Sequence, residues 1–339
     1  MRLRSIRAAA ATAGALLLTL AGTAFTAAPA SAVSGDFTYE VTRNADTYLD
    51  VPGTEITFDA AAGQRSFLWS RYFSTGPVDA VTAGDNIGNT MAIRCRNADG
   101  TALPAGTEAG AYWAANLVPP GEKQLTAALR WVFQAPADGS YSCRLSIVSY
   151  SSIIVNGRTV TMRVPAGAEL ARKDYAATAD WTLQAGSGTV VSRSTTPTTT
   201  LGYTYTPSPT DTDFVVYQDA ALSTCAAGSS ICPGGTTAYT GTVVDTWVEA
   251  QPRKTDGTPC GSPLTGAVSR WNITNDKHHQ TAANHVHLTT AQLPAGCTQV
   301  RATLKVRNVD GNPVKIHDGY ASGTIAATHG AGISYSTAS

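Results

Sequence analysis

Four of the six histidines in this 339-residue chain fall within DKHHQTAANHVHLTT, residues 276–290, and none occurs before His278. His285 and His287 are two positions apart. On a strand that spacing sends both imidazoles out of one face, with Cα atoms roughly 6.5–7 Å apart. An HxH pair of this kind supplies two of the three or four ligands that Zn or Cu needs. His278, His279, Asp276 and His317 are the candidates for the remaining positions. The competing reading is a solvated strand face, with Val286 and Leu288 turned to the core.

A second constellation is FLWSRYF, residues 67–73. Read as one strand, it sets Phe67, Trp69, Arg71 and Phe73 on one face and Leu68 and Tyr72 on the other. Aromatic rings on a sheet face bury sugar rings without needing charge, so Trp69, Tyr72 and Trp113 are candidates for a ligand surface. Core packing is the alternative use of the same rings.

Catalytic motifs are scarce. There is no GxSxG elbow, no HExxH, no EF-hand loop and no phosphate-cradling glycine motif. A histidine-dependent triad is excluded from the first 277 residues. Paired carboxylates for glycoside hydrolysis are brought together only by the fold, so an uncatalogued hydrolase is the third functional reading, after a non-catalytic binding or structural module and a metal-binding protein.

The N-terminus reads as an export signal: basic MRLRSIR, an apolar run, then PASA, with cleavage expected between Ala32 and Val33. No later stretch offers the roughly 18 apolar residues of a spanning helix, so a secreted, extracellular protein without a membrane span is expected. Of 24 Lys and Arg, the leader holds Arg2, Arg4 and Arg7, which leaves 21 against 24 acidic residues and a net charge of −3. That balance argues against a nucleic-acid partner. Charged residues make up 14% of the chain, where about 25% is usual, and hydroxyl residues take their place.

The elements that must carry these residues read as strands. Asn156-Gly157 lies between β-branched runs and predicts a two-residue hairpin turn. Asp99-Gly100 and Asp310-Gly311 predict further turns. In LRWVF, residues 129–133, alternation sends Leu129, Trp131 and Phe133 to the core and Arg130 and Val132 outward.

The two halves repeat an order of turn, Trp, alternating strand, turn, Cys strand and turn. Residues 97–116 align with 254–274, matching Trp113 with Trp271, and residues 123–147 align with 279–306, matching Cys143 with Cys297. The expectation is an all-β chain of two tandem β-sandwich domains, residues 33–193 and 213–339, after a 1–32 signal peptide. Between them, residues 194–212 are rich in Thr, Pro and Ser and read as a linker, although the Tyr203 and Tyr205 alternation there also fits the first strand of the second domain. Six cysteines in an exported chain imply disulfides, and this division favours Cys95 with Cys143, Cys225 with Cys232, and Cys260 with Cys297.

In APADGSYSC, residues 135–143, the sequence Gly139-x-Tyr141-x-Cys143 resembles the tyrosine corner of immunoglobulin-like domains. The same run also resembles jelly-roll modules of secreted actinobacterial proteins. Either resemblance implies a β-sandwich, and for this chain a partner that is an extracellular protein or polysaccharide.

Overall fold

The computed structural model describes residues 31–42, 48–78, 84–104, 109–117, 124–174, 179–183, 189–230, 232–317 and 328–336. Its regular structure is all β, apart from two short 3-10 turns, and every pairing between its strands is antiparallel. Most of the expected leader, residues 1–30, lies outside the described residues. Ser31 and Ala32, the last residues ahead of the expected cleavage point, pair in register with Leu170 and Glu169, and just beyond that point the Val33 N–H donates to the Ala168 carbonyl at 2.9 Å. Among the described residues no helix is long and apolar enough to cross a membrane.

One pairing scheme occurs twice. Eight strands of the first set, in chain order, are Ser31–Ala32, Ile56–Ala60, Arg65–Arg71, Asn86–Asn97, Ala109–Leu117, Arg130–Gln134, Gly139–Ile153 and Glu169–Asp174. The first pairs with the eighth, the eighth with the third and the third with the sixth. The second pairs with the seventh, the seventh with the fourth and the fourth with the fifth. Eight later strands, Ala179–Leu183, Thr198–Tyr205, Asp213–Thr224, Gly241–Arg253, Ser269–Thr274, His279–Thr289, Gln299–Gly311 and His329–Tyr335, pair in the same order. One bridge, Gln280 to Ala115, links the two sets.

Alternation along these strands builds the cores. Leu68, Met91, Phe133 and Leu145 are fully buried in the first set, and Phe214, Val248, Leu288 and Ala302 are buried in the second. The disulfides join Cys95 to Cys143, Cys225 to Cys232 and Cys260 to Cys297. Tyr141 is buried, and its hydroxyl donates to the carbonyl of Ala137, the backward bond of a tyrosine corner. The immunoglobulin likeness stops there, because Cys95 and Cys143 face each other on adjacent strands of one sheet instead of bridging two sheets.

Several expectations need correction. Asn156-Gly157 does not close a hairpin. Val155–Gly157 is a 3-10 turn that carries the chain from Gly139–Ile153 to Val160–Val164, which pairs instead with Phe37–Val41 and Ser74–Pro77. Gly311, at φ 93°, makes the equivalent crossing, since the following Val314–Ile316 pairs with Val190–Val191 and Asp213–Thr224. FLWSRYF is not one strand. Tyr72 takes a left-handed φ of 52°, which ends Arg65–Arg71 and puts Phe73 in the same core as Leu68, not with Trp69. Within residues 194–212, Thr198–Tyr205 is a strand, as the Tyr203 and Tyr205 alternation allowed, and both tyrosines are buried. Tyr205 bonds the last strand through Ser334, 3.0 Å away, and its ring occupies the space a side chain at Gly332 would need.

Arg130 and Val132 do not face water either. The face they share with Phe67 packs against Val215, Tyr217, Ala331 and Ile333 of the second set, burying Val132 completely. The Phe67 and Tyr217 rings stack at 5.8 Å across this junction. Arg130 forms a two-toothed ion pair with Asp219, and both side chains are nearly buried.

Candidate functional site

Beside this junction lies an open cleft of about 580 Å³. Phe67, Trp69, Arg130 and Lys173 line it from one sheet, and Tyr217, His285, His287 and Tyr335 from the other. The volume lies within the range typical of small-molecule sites.

Strand register explains the convergence. Trp69 lies opposite Arg130, and Tyr217 lies opposite His285. These are corresponding positions of the repeated third and sixth strands, and the corresponding faces are turned toward each other. Alternation then buries Val286 and Leu288 and leaves His285 and His287 on the exposed side of their strand.

The rings hold charged and polar groups in place. Arg71 lies 5.7 Å from the Trp69 centroid, Arg130 4.3 Å from Tyr217 and Lys173 5.0 Å from Tyr335. His287 is nearly parallel to Tyr335 at 6.2 Å, and its Nε2 lies 3.0 Å from the Asp213 carboxylate. Burial, partly opposed by the Arg130 charge, pushes the Tyr217 hydroxyl up to about 12. Burial also holds His285 below the ordinary histidine range, with help from Arg130, so at neutral pH its imidazole is uncharged and able both to donate and to accept a hydrogen bond.

The sequence candidates thus divide. Trp69, His285 and His287 come together in one cleft. Tyr72 is 76% exposed and is not part of the cleft wall. Trp113 sits opposite Met91 in the first set, and its side chain lies outside the described residues. His278 and His279 occupy the other end of the His279–Thr289 strand. Six residues of strand, about 20 Å, separate His279 from His285, so the two histidine pairs cannot share an ion. His317 lies at the His279 end and bonds Ser223 at 2.7 Å. The Asp276 carbonyl accepts from Asn86. Among the described residues no three His, Cys, Asp or Glu side chains are grouped to hold a metal.

Lys173, Tyr217 and Tyr335 are cleft residues that the sequence reading missed. Tyr217 sits in a run, DFVVYQDA, that reads as buried strand, and only the pairing with His285 reveals its role.

No protein-family model matches the chain, and no curated protein matches it. Similar solved structures include that of the Gx strain of infectious bursal disease virus, at 10% identity over 91% of this chain and 77% of that one, with a TM-score of 0.27. The Gt strain of the same virus gives 8% identity over 90% of this chain and 78% of that one, with a TM-score of 0.27. The insecticidal delta-endotoxin Cry8Ea1 from Bacillus thuringiensis gives 10% identity over 82% of this chain and 53% of that one, with a TM-score of 0.24. At these scores none supports a functional assignment.

Proposed function

We propose that the chain is a secreted, non-catalytic binding protein that recognises a polysaccharide in the cleft between two tandem jelly-roll sandwiches. The observation that carries this reading is the meeting of the partly exposed Trp69 and Tyr335 in one open cleft, over the buried Phe67–Tyr217 stack and beside Lys173, His285 and His287. Exposed rings take up the apolar faces of sugars, and the neighbouring polar groups meet their hydroxyls.

The tandem reading is supported by the doubled pairing order, which is that of two eight-stranded double sheets, and the exported chain keeps all of it but the two-residue strand Ser31–Ala32. It places the boundary between Asp174 and Ala179, because Ala179–Leu183 pairs with His329–Tyr335. On this reading the two sandwiches meet directly at the Phe67–Tyr217 stack, beside the cleft.

The test is depletion of the purified protein from solution by insoluble cellulose, chitin and peptidoglycan, with gel retardation on soluble glucans and pectin. Retention by at least one polymer, weakened by Trp69→Ala, is the expected result. Retention by none of them would overturn the reading.

A further inference from the structure

The cleft does not end at Tyr335. Lys173 and Tyr335 also border a neighbouring recess of about 300 Å³, whose other walls include Ser208, Thr210, Asp211 and Ser336. Two shared residues make the hollows neighbours across a single ridge. Their chemistries differ: rings dominate the first, whereas hydroxyls and the Asp174 and Asp211 carboxylates line the second. The recess groups are also held in position. Ser208 and Thr210 hydroxyls lie 2.8 Å apart, Ser336 donates to the Asp211 carboxylate at 3.2 Å, and Ser208 N–H donates to Ser334 at 3.0 Å. Lys173 stands over the Tyr335 ring at the divide.

A linear chain of sugars presents both faces of this chemistry, an apolar ring face to stack and a rim of hydroxyls to bond. An apolar ligand would gain nothing from the recess, because desolvating hydroxyls and two carboxylates without replacing their hydrogen bonds is costly. We infer that the cleft and the recess are successive subsites of one groove for a linear glycan, stacking one part of the chain and hydrogen-bonding the next. The inference rests on the glycan-binding reading and adds a second site and a minimum length to it. Lys173 marks the boundary between the two subsites, and Thr210 and Asp211 are the residues that read the chain beyond it.

Calorimetric titration with di- and hexasaccharides of β-1,4-linked glucose, β-1,4-linked N-acetylglucosamine and α-1,4-linked galacturonate separates the two claims. In at least one series the hexasaccharide is expected to bind roughly tenfold or more tightly than the disaccharide, equivalent to about 1.4 kcal/mol. Thr210→Val and Asp211→Ala should each bring that ratio toward one, and circular dichroism of both variants shows whether the fold is kept. Equal affinity for both lengths in a series that binds would overturn the second subsite and leave the cleft reading standing. A length gain unchanged in the folded variants would also overturn it. Binding in no series would remove both claims.

Discussion

The Arg130 guanidinium lies 4.3 Å from the Tyr217 ring centroid while it pairs with Asp219 on the same strand as Tyr217. Arg130 belongs to the first set of strands, and its two partners belong to the second. A charge that sequence alternation turns toward water is instead the polar fastening of the junction that shapes the cleft.

That fastening has a measurable cost when it is broken on one side. Removing one partner of a buried ion pair typically costs about 3–5 kcal/mol, because the other charge stays buried, whereas replacing both by apolar groups is often near neutral. Asp219→Asn should lower stability in urea titration by about 3 kcal/mol. Arg130→Met combined with Asp219→Asn, which keeps an oxygen to accept the buried Asn284 N–H, should recover most of the loss. A double variant as weak as the single one would mean that the junction needs the charges themselves.

Acid should weaken the protein through its buried histidines. Burial, with the neighbouring His278, His317 and Lys277 charges, pushes the His279 imidazole down to about 3, and burial with the Arg130 charge, partly opposed by Asp219, also lowers His329. The unfolded chain takes up these protons near the ordinary histidine value of about 6.5, and the folded chain does not. Stability from His279 is therefore fully present above about pH 6.5 and falls as pH drops from there toward 3. His279→Gln should flatten the decline of the denaturation midpoint over that window, and an unchanged slope would show that His279 is not the cause.

Cross-strand Cys95–Cys143 closes the first core. Replacing both cysteines by Ala should cost about 2–5 kcal/mol, the range for native disulfides of small secreted domains. Thermal melts should show the loss, and a melting temperature equal to that of the unaltered protein would show that the bridge contributes nothing.

Tyr141→Phe tests the corner bond. Its hydroxyl donates to Ala137 and accepts the Ala137 N–H at 3.2 Å, so removal should cost about 0.5–1.5 kcal/mol. A larger loss would mean that the ring repacks against Phe133, its T-shaped neighbour at 5.1 Å.

Local chemistry was legible in the sequence wherever one strand's own alternation decided the outcome. Val286 and Leu288 point inward and His285 and His287 outward, as period two requires. The cysteine partners and the repeated order could also be read, because turns and aromatic spacing recur at matching places. Contacts made between the two sets of strands could not be read. The outer face of Arg130–Gln134 becomes an interface only because a second sheet covers it, and nothing within RWVFQ encodes that sheet. Nor does Tyr72 announce its left-handed backbone, an unusual conformation for a bulky residue, which breaks the FLWSRYF alternation and moves Phe73 into the core. Asn156-Gly157 misleads for a related reason: its turn chemistry is real, but the chain leaves it for a different sheet.

Soaking crystals of the protein in hexasaccharides of β-1,4-linked glucose, β-1,4-linked N-acetylglucosamine and α-1,4-linked galacturonate locates the binding site itself. The account expects sugar density in at least one soak, with a ring in the cleft against Trp69 or Tyr335 and the chain running past Lys173 toward Thr210. Density for a bound sugar elsewhere, with the cleft empty, would contradict it.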